Sequence, residues 1–129
     1  MKRVLIVDDI KGWRDYHSYI INDLFDDVFI ETAESAKEGY DKLFQYNDAP
    51  FDIIITDMQM EQDFEPKYAG EWFIEQIRTF KNYNNTRVVI ISATYNIRQI
   101  AESFAVDCIP KSTARNFPDS YNFLKDTHC

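Results

Sequence analysis

Asp52-Ile53-Ile54-Ile55-Thr56-Asp57-Met58-Gln59-Met60 lies near the middle of a 129-residue chain, and its reading decides the fold. Residues 53–56 show no alternation of apolar and polar side chains. Such a run suits a strand whose two faces are both covered, as in a parallel sheet. Working outward, similar runs recur at residues 4–7, 28–32 and 88–91, and more weakly at 106–109. The segments between them carry the helical period. Trp13, His17, Ile20, Ile21 and Leu24 share one face, and Ala36, Tyr40, Leu43 and Phe44 share another. Phe73, Ile77 and Phe80 mark a third helix, and Ile97, Ile100, Ala101 and Phe104 a fourth. Phe117, Tyr121 and Leu124 mark a fifth, with Pro118 in its first turn. Ser35 and Glu38 have the spacing of a capping box. Strict βα alternation predicts an α/β fold, a doubly wound five-stranded parallel sheet of flavodoxin-like order 2-1-3-4-5.

Composition bounds the function. At 45% hydrophobic and 16% aromatic residues the chain has ample material for a core, which excludes disorder. A net charge of -8, with no run of Lys or Arg, argues against direct nucleic-acid binding and against attraction to an anionic membrane. The opening Met-Lys-Arg-Val-Leu-Ile-Val starts like a signal peptide, but Asp8 and Asp9 cut its apolar run short. No stretch approaches the length of a membrane span, so no insertion is expected. Cys108 and Cys129 have no metal-site spacing and read as reduced thiols of a cytoplasmic protein. His17 falls on an apolar stripe and is expected to be packed and hydrogen-bonded, whereas His128 near the terminus is expected to be solvated.

In an open α/β sheet, ligands bind outside the carboxyl ends of the strands. There stand Asp8 and Asp9, Asp57, Ser92 and, just past the fifth strand, Lys111. Singly, each has an ordinary reading: a solvated turn, a helix cap, a loop hydrogen bond, a surface lysine. Together they place three carboxylates, a hydroxyl and an ammonium at one edge. Clustered carboxylates repel one another unless a cation neutralises them, and Mg²⁺ prefers such hard oxygen ligands. An acidic pocket of this kind, with lysine and hydroxyl beside it, suits phosphoryl transfer onto Asp57.

Val4-Leu5-Ile6-Val7-Asp8-Asp9, the segment around Asp57 with its following methionine, Ser92-Ala93 and Lys111 together resemble the response-regulator receiver family of two-component signalling. The likeness spans nearly the whole chain, as one receiver domain over residues 1–129 with no effector domain. It implies a phosphorelay module rather than an enzyme. Asp57 would take a phosphoryl group from a histidine kinase or histidine phosphotransfer protein, and a downstream protein effector would read the result. Carried over to this sequence, Asp9 would ligate Mg²⁺ directly, Asp8 through water, Asp57 by its carboxylate and Gln59 by its backbone carbonyl. Ser92 and Lys111 would contact the phosphoryl oxygens. Three positions depart from the family pattern. Ser112 follows Lys111 where proline is usual, with Pro110 before it; Cys108 replaces the aromatic switch residue; and the loop after Asp57 is longer, with Glu61 where proline is common.

Two rival readings compete with this one. A pseudo-receiver would bind a partner without phosphorylation. A Mg²⁺-dependent aspartyl phosphatase of the haloacid-dehalogenase type needs a second Asp two residues past its nucleophile. Asp57 is followed by Met58 and Gln59, and Asp8 by Asp9 and Ile10, so neither fits. The long loop, residues 61–69, carries acids at Glu61, Asp63 and Glu65 and rings at Phe64 and Tyr68. It reads either as a solvated insertion or as a partial lid or docking loop.

Overall fold

The computed structural model describes residues 1–64 and 67–126. Glu65, His128 and Cys129 lie outside them. The strands are β1 (Lys2–Val7), β2 (Val28–Ala33), β3 (Ile53–Thr56), β4 (Arg87–Ser92) and β5 (Asp107–Pro110). The helices are α1 (Lys11–Leu24), α2 (Ala36–Gln45), α3 (Ala69–Thr79), α4 (Ile97–Phe104) and α5 (Lys111–Asn116). All strands pair in parallel, in the order β2-β1-β3-β4-β5. Among the described residues no helix is long and apolar enough to cross a membrane.

The pleat sends alternate residues to opposite faces, so each apolar run feeds two cores. Leu5, Val7, Ile54 and Ile90 pack with Phe73, Ile77 and Ile100 from the helices of one face. Val4, Ile6, Ile55 and Ile91 pack on the other face with Ile20, Ile21 and Tyr121. The central strands β1, β3 and β4 are buried almost throughout. Strand β2 is an edge and only half-buried, less covered than its apolar reading implied. Its Glu31 bonds Lys42 and Tyr46 of the neighbouring helix segment.

The predicted fifth helix over Phe117–Leu124 is corrected. The α-helix is Lys111–Asn116, and Pro118–Lys125 continues as 3₁₀ turns. Proline disfavours the α conformation in the residue before it, and Phe117 lies outside the α region, with φ -134° and ψ 83°. The register of the apolar face survives, since Tyr121 and Leu124 are still buried.

The described residues of the long loop lie against α3. After a 3₁₀ turn at Gln62–Phe64, Phe64 stacks on Trp72 of α3 at 4.6 Å between centroids. Lys67 pairs with Glu75 at 2.7 Å, and the Tyr68 N–H donates to Glu71 at 3.2 Å. The segment is thus bracketed onto α2 and α3, in line with an aromatic strip of Trp72, Tyr40, Phe80 and Phe44.

Candidate functional site

Parallel register brings the carboxyl ends of β1, β3 and β4 level. Val7 pairs with Thr56, and Thr56 with Ile90, so Asp8 and Asp57 leave adjacent strands side by side. The backbone locks both. The Asp8 N–H donates to the Ala33 carbonyl at 3.1 Å, and the Asp57 N–H to the Val7 carbonyl at 3.0 Å. One carboxylate oxygen from each of Asp8, Asp9 and Asp57 lies within 4.8 Å of the others. Asp8 and Asp57 are buried and Asp9 is exposed, so the cluster opens to solvent on the Asp9 side.

Lys111 closes the other side. As the first residue of α5 it is swung into the pocket and buried, contrary to the surface position a lone lysine suggests. Its Nζ donates to Asp57 Oδ2 at 2.9 Å and lies 3.1 Å from Asp8 Oδ2. The second approach is an ion pair, and the Lys111 ammonium is the one polar group at hand for the buried Asp8 Oδ2 among the described residues. Burial disfavours the ammonium, but the Asp57 and Asp8 carboxylates outweigh it and raise the Lys111 pKa. Burial pushes the Asp8 carboxyl up; the Ile10 N–H, at 2.9 Å from Oδ1, and the Lys111 charge pull it back only in part. Asp57 Oδ1 accepts the Met58 N–H at 2.6 Å, so both of its oxygens are held.

Hard-cation chemistry fits this donor set. Three carboxylates face one ammonium, which the buried Asp8 and Asp57 oxygens must share. An oxygen-seeking divalent ion would relieve that excess of negative charge.

Ser92 stands at the end of β4, but its hydroxyl is engaged elsewhere. It bonds Thr94 Oγ1 at 2.9 Å and accepts the Thr94 N–H at 3.2 Å, rather than meeting Asp57 or Lys111. Gln59 is exposed, between buried Met58 and half-buried Met60.

Several contributors were not read from the sequence. Trp13 was assigned only to a core face; its ring lies 5.0 Å from Lys111 Nζ and 5.3 Å from the Arg115 guanidinium, flanked by two cations. Arg14 donates to the Asp8 carbonyl at 2.8 Å, steadying the turn after β1. Gly70 is required by contact: a Cβ there would strike the Asp57 carbonyl oxygen and sit 2.7 Å from Met58 Cα. The pair Ala69-Gly70 opens α3 beyond the long loop, and its sequence position alone gave no sign of this close approach. Behind the lysine, His17 is buried as expected, with Nδ1 2.7 Å from the Tyr121 hydroxyl. Burial, then the Lys111 charge, lowers its pKa to about 3.

Comparison with known proteins agrees with this geometry. The family model of the response regulator receiver domain matches residues 4–117. No curated protein matches the chain. Among solved structures it is similar to the response regulator TrrA of Thermotoga maritima, solved in complex with Mg(2+)-BeF. The identity is 26%, over 84% of this chain and 84% of that one, with a TM-score of 0.66. The Vibrio cholerae chemotaxis protein CheY4 shares 24% identity over 84% of this chain and 83% of its own, with a TM-score of 0.67. The response regulator domain of Thermotoga maritima CheB shares 23% over 93% and 90%, with a TM-score of 0.71. These last two show the common fold alone. With the family model running from β1 to the end of α5, the chain belongs to the response regulator receiver family of signalling domains.

Proposed function

We propose that this receiver acts in a cytoplasmic two-component phosphorelay. Asp57 takes a phosphoryl group from the phosphohistidine of a histidine kinase or histidine phosphotransfer protein. The modified state then binds a downstream protein partner with a different affinity. The observation that carries this reading is the buried contact of Lys111 with Asp57 Oδ2, inside a pocket where Asp8 and Asp9 add two further carboxylates.

Asp9, Asp57 and the Gln59 carbonyl, with Asp8 through water, would hold Mg²⁺, which would supply positive charge to the phosphoryl oxygens. The chain's own groups do the rest. An Asp57 carboxylate oxygen forms the new O–P bond as the donor's N–P bond breaks. The Met58 N–H and Lys111 hold that carboxylate in one orientation, so attack needs little reorganisation. Lys111, set between Asp8 and the Trp13 ring, keeps its ammonium where negative charge arrives. Ser92 can turn its hydroxyl to a phosphoryl oxygen by releasing Thr94, a loss of roughly 1 kcal/mol that the charge-assisted bond to the phosphoryl oxygen offsets. With Cys108 on β5 in place of an aromatic switch residue, that release passes the signal into Thr94 and Tyr95. The Tyr95 side chain is 93% exposed, where a partner can read it. Any such switch needs different interaction free energies in the two states.

Acetyl phosphate with Mg²⁺, followed by intact-mass measurement, tests the assignment. The parent should gain one phosphoryl group and Asp57→Asn none, because the amide is a poor nucleophile. An undiminished adduct in Asp57→Asn refutes the acceptor. A parent that takes no phosphoryl group from acetyl phosphate or from a phosphohistidine protein is a partner-binding module that works without phosphorylation.

A further inference from the structure

The segment after Asp57 is tied on both sides of Gln59. On one side Met58 is buried, its N–H donating to Asp57 Oδ1 and its carbonyl accepting the Gly70 N–H at 3.0 Å. On the other side Glu61 reaches back 25 residues in sequence to α2. Its two carboxylate oxygens accept the Ala36 N–H at 2.7 Å and the Lys37 N–H at 3.1 Å. These are the first two N–H groups of the helix and have no partner within it. The Ser35 hydroxyl takes the third, from Glu38, at 3.0 Å. A carboxylate at this positively polarised helix end is well placed electrostatically. Ser35 and Glu61 therefore serve α2 in the same way, but only Glu61 belongs to the loop that leaves the acceptor strand. Gln59 is exposed, so its backbone is held by these neighbours and not by its own packing.

We infer that Glu61 is a positioning residue for the cation site: its grip on the first turn of α2 fixes residues 58–61, and with them the Gln59 carbonyl. The inference rests on the proposed Mg²⁺ site. The coupling is reciprocal, as any linkage between two sites must be, so filling the site also tightens the first turn of α2.

Mg²⁺ titration of the full chain by calorimetry, with thermal melts alongside, tests this in the parent, Glu61→Ala, Glu61→Gln and Ser35→Ala. Glu61→Ala should weaken Mg²⁺ binding about fivefold, somewhat below the ~10–100-fold typical of groups that orient metal ligands directly. Glu61→Gln, which keeps an accepting oxygen without the charge, should fall between this and the parent. Ser35→Ala should lower the melting temperature comparably, because it removes a cap from the same helix end, yet weaken Mg²⁺ binding far less than Glu61→Ala, because both Glu61 bonds remain. In amide NMR spectra, Mg²⁺ should shift the Ala36 and Lys37 signals of the parent but not those of Glu61→Ala. Should Glu61→Ala fail to fold, Glu61→Gln against Ser35→Ala makes the same comparison. Equal affinities in the Glu61 and Ser35 variants overturn the inference alone. A parent that binds no Mg²⁺ overturns it together with the proposed site.

Discussion

The buried His17 makes the stability of this domain depend on pH in a calculable way. Its imidazole is 1% exposed, and its pKa is lowered from 6.5 to about 3. The unfolded chain binds this proton at the ordinary value, while the native chain refuses it until far lower pH. The contribution is therefore fully present above pH 6.5 and is lost as the pH falls toward 3. Each pH unit well below 6.5 costs about 1.4 kcal/mol, so moving from pH 7 to pH 5 costs about 2 kcal/mol. Asp8 works the other way: its raised pKa means that acid favours the native state, and a comparison of variants must cancel it. His17→Gln does this, since it removes the titrating ring, keeps an acceptor near the Tyr121 hydroxyl and leaves Asp8 in place. Urea unfolding in EDTA at pH 7 and pH 5, followed by circular dichroism, gives the four free energies. The parent should lose about 2 kcal/mol more than the variant, a difference of about 1 M in urea midpoint for a domain of this size. Equal losses in the two proteins would show that His17 accepts its proton in the native state, and the linkage argument would fail.

Two further substitutions probe the backbone around the site. Gly70→Ala forces a Cβ into the Asp57 carbonyl and the Met58 side chain; it should destabilise the fold by about 1–3 kcal/mol and slow phosphoryl uptake from acetyl phosphate by displacing the acceptor. A normal uptake rate in a folded Gly70→Ala protein would remove Gly70 from the positioning of Asp57. Ala105 caps α4 in the left-handed region with φ 55°, so Ala105→Gly should raise stability by about 0.5–1 kcal/mol in chemical unfolding, provided relief of strain exceeds the entropy added to the unfolded chain. A decrease would mean that the Ala105 methyl contributes packing that outweighs its backbone strain.

The parts of this fold legible in the sequence are those set by unbroken apolar runs and by where they stop. β1, β3 and β4 are such runs, and each ends on a group of the site: Asp8, Asp57 and Ser92. The rule that ligands gather at the carboxyl ends of parallel strands then places these groups together from the sequence alone. The end of the chain was misread because apolar spacing alone does not distinguish an α-helix from successive 3₁₀ turns. Tyr121 and Leu124 keep their burial while Phe117 breaks the helix before Pro118. The Glu61 cap was not legible, because a carboxylate meeting N–H groups 25 residues earlier leaves no local pattern. The Trp13 ring had the spacing of a core residue, and its position against Lys111 follows only from how α1 lies beside α5. The engagement of Ser92 with Thr94 rests on a hydroxyl torsion, which no sequence pattern encodes.

Lys111 comes into reach of Asp57 only after β5 has paired with β4, the last strand addition along the chain. Asp8 and Asp57 are already adjacent once β1 and β3 have paired, so a partly folded chain places two carboxylates together without their counter-charge. Without β5 and the turn into α5 those two carboxylates repel each other; Lys111, at 3.1 Å from Asp8 and 2.9 Å from Asp57, supplies the opposing charge. The charge balance of the pocket is thereby tied to the pairing of β5: a chain in which that strand is displaced from β4 also withdraws the ammonium from between the two carboxylates.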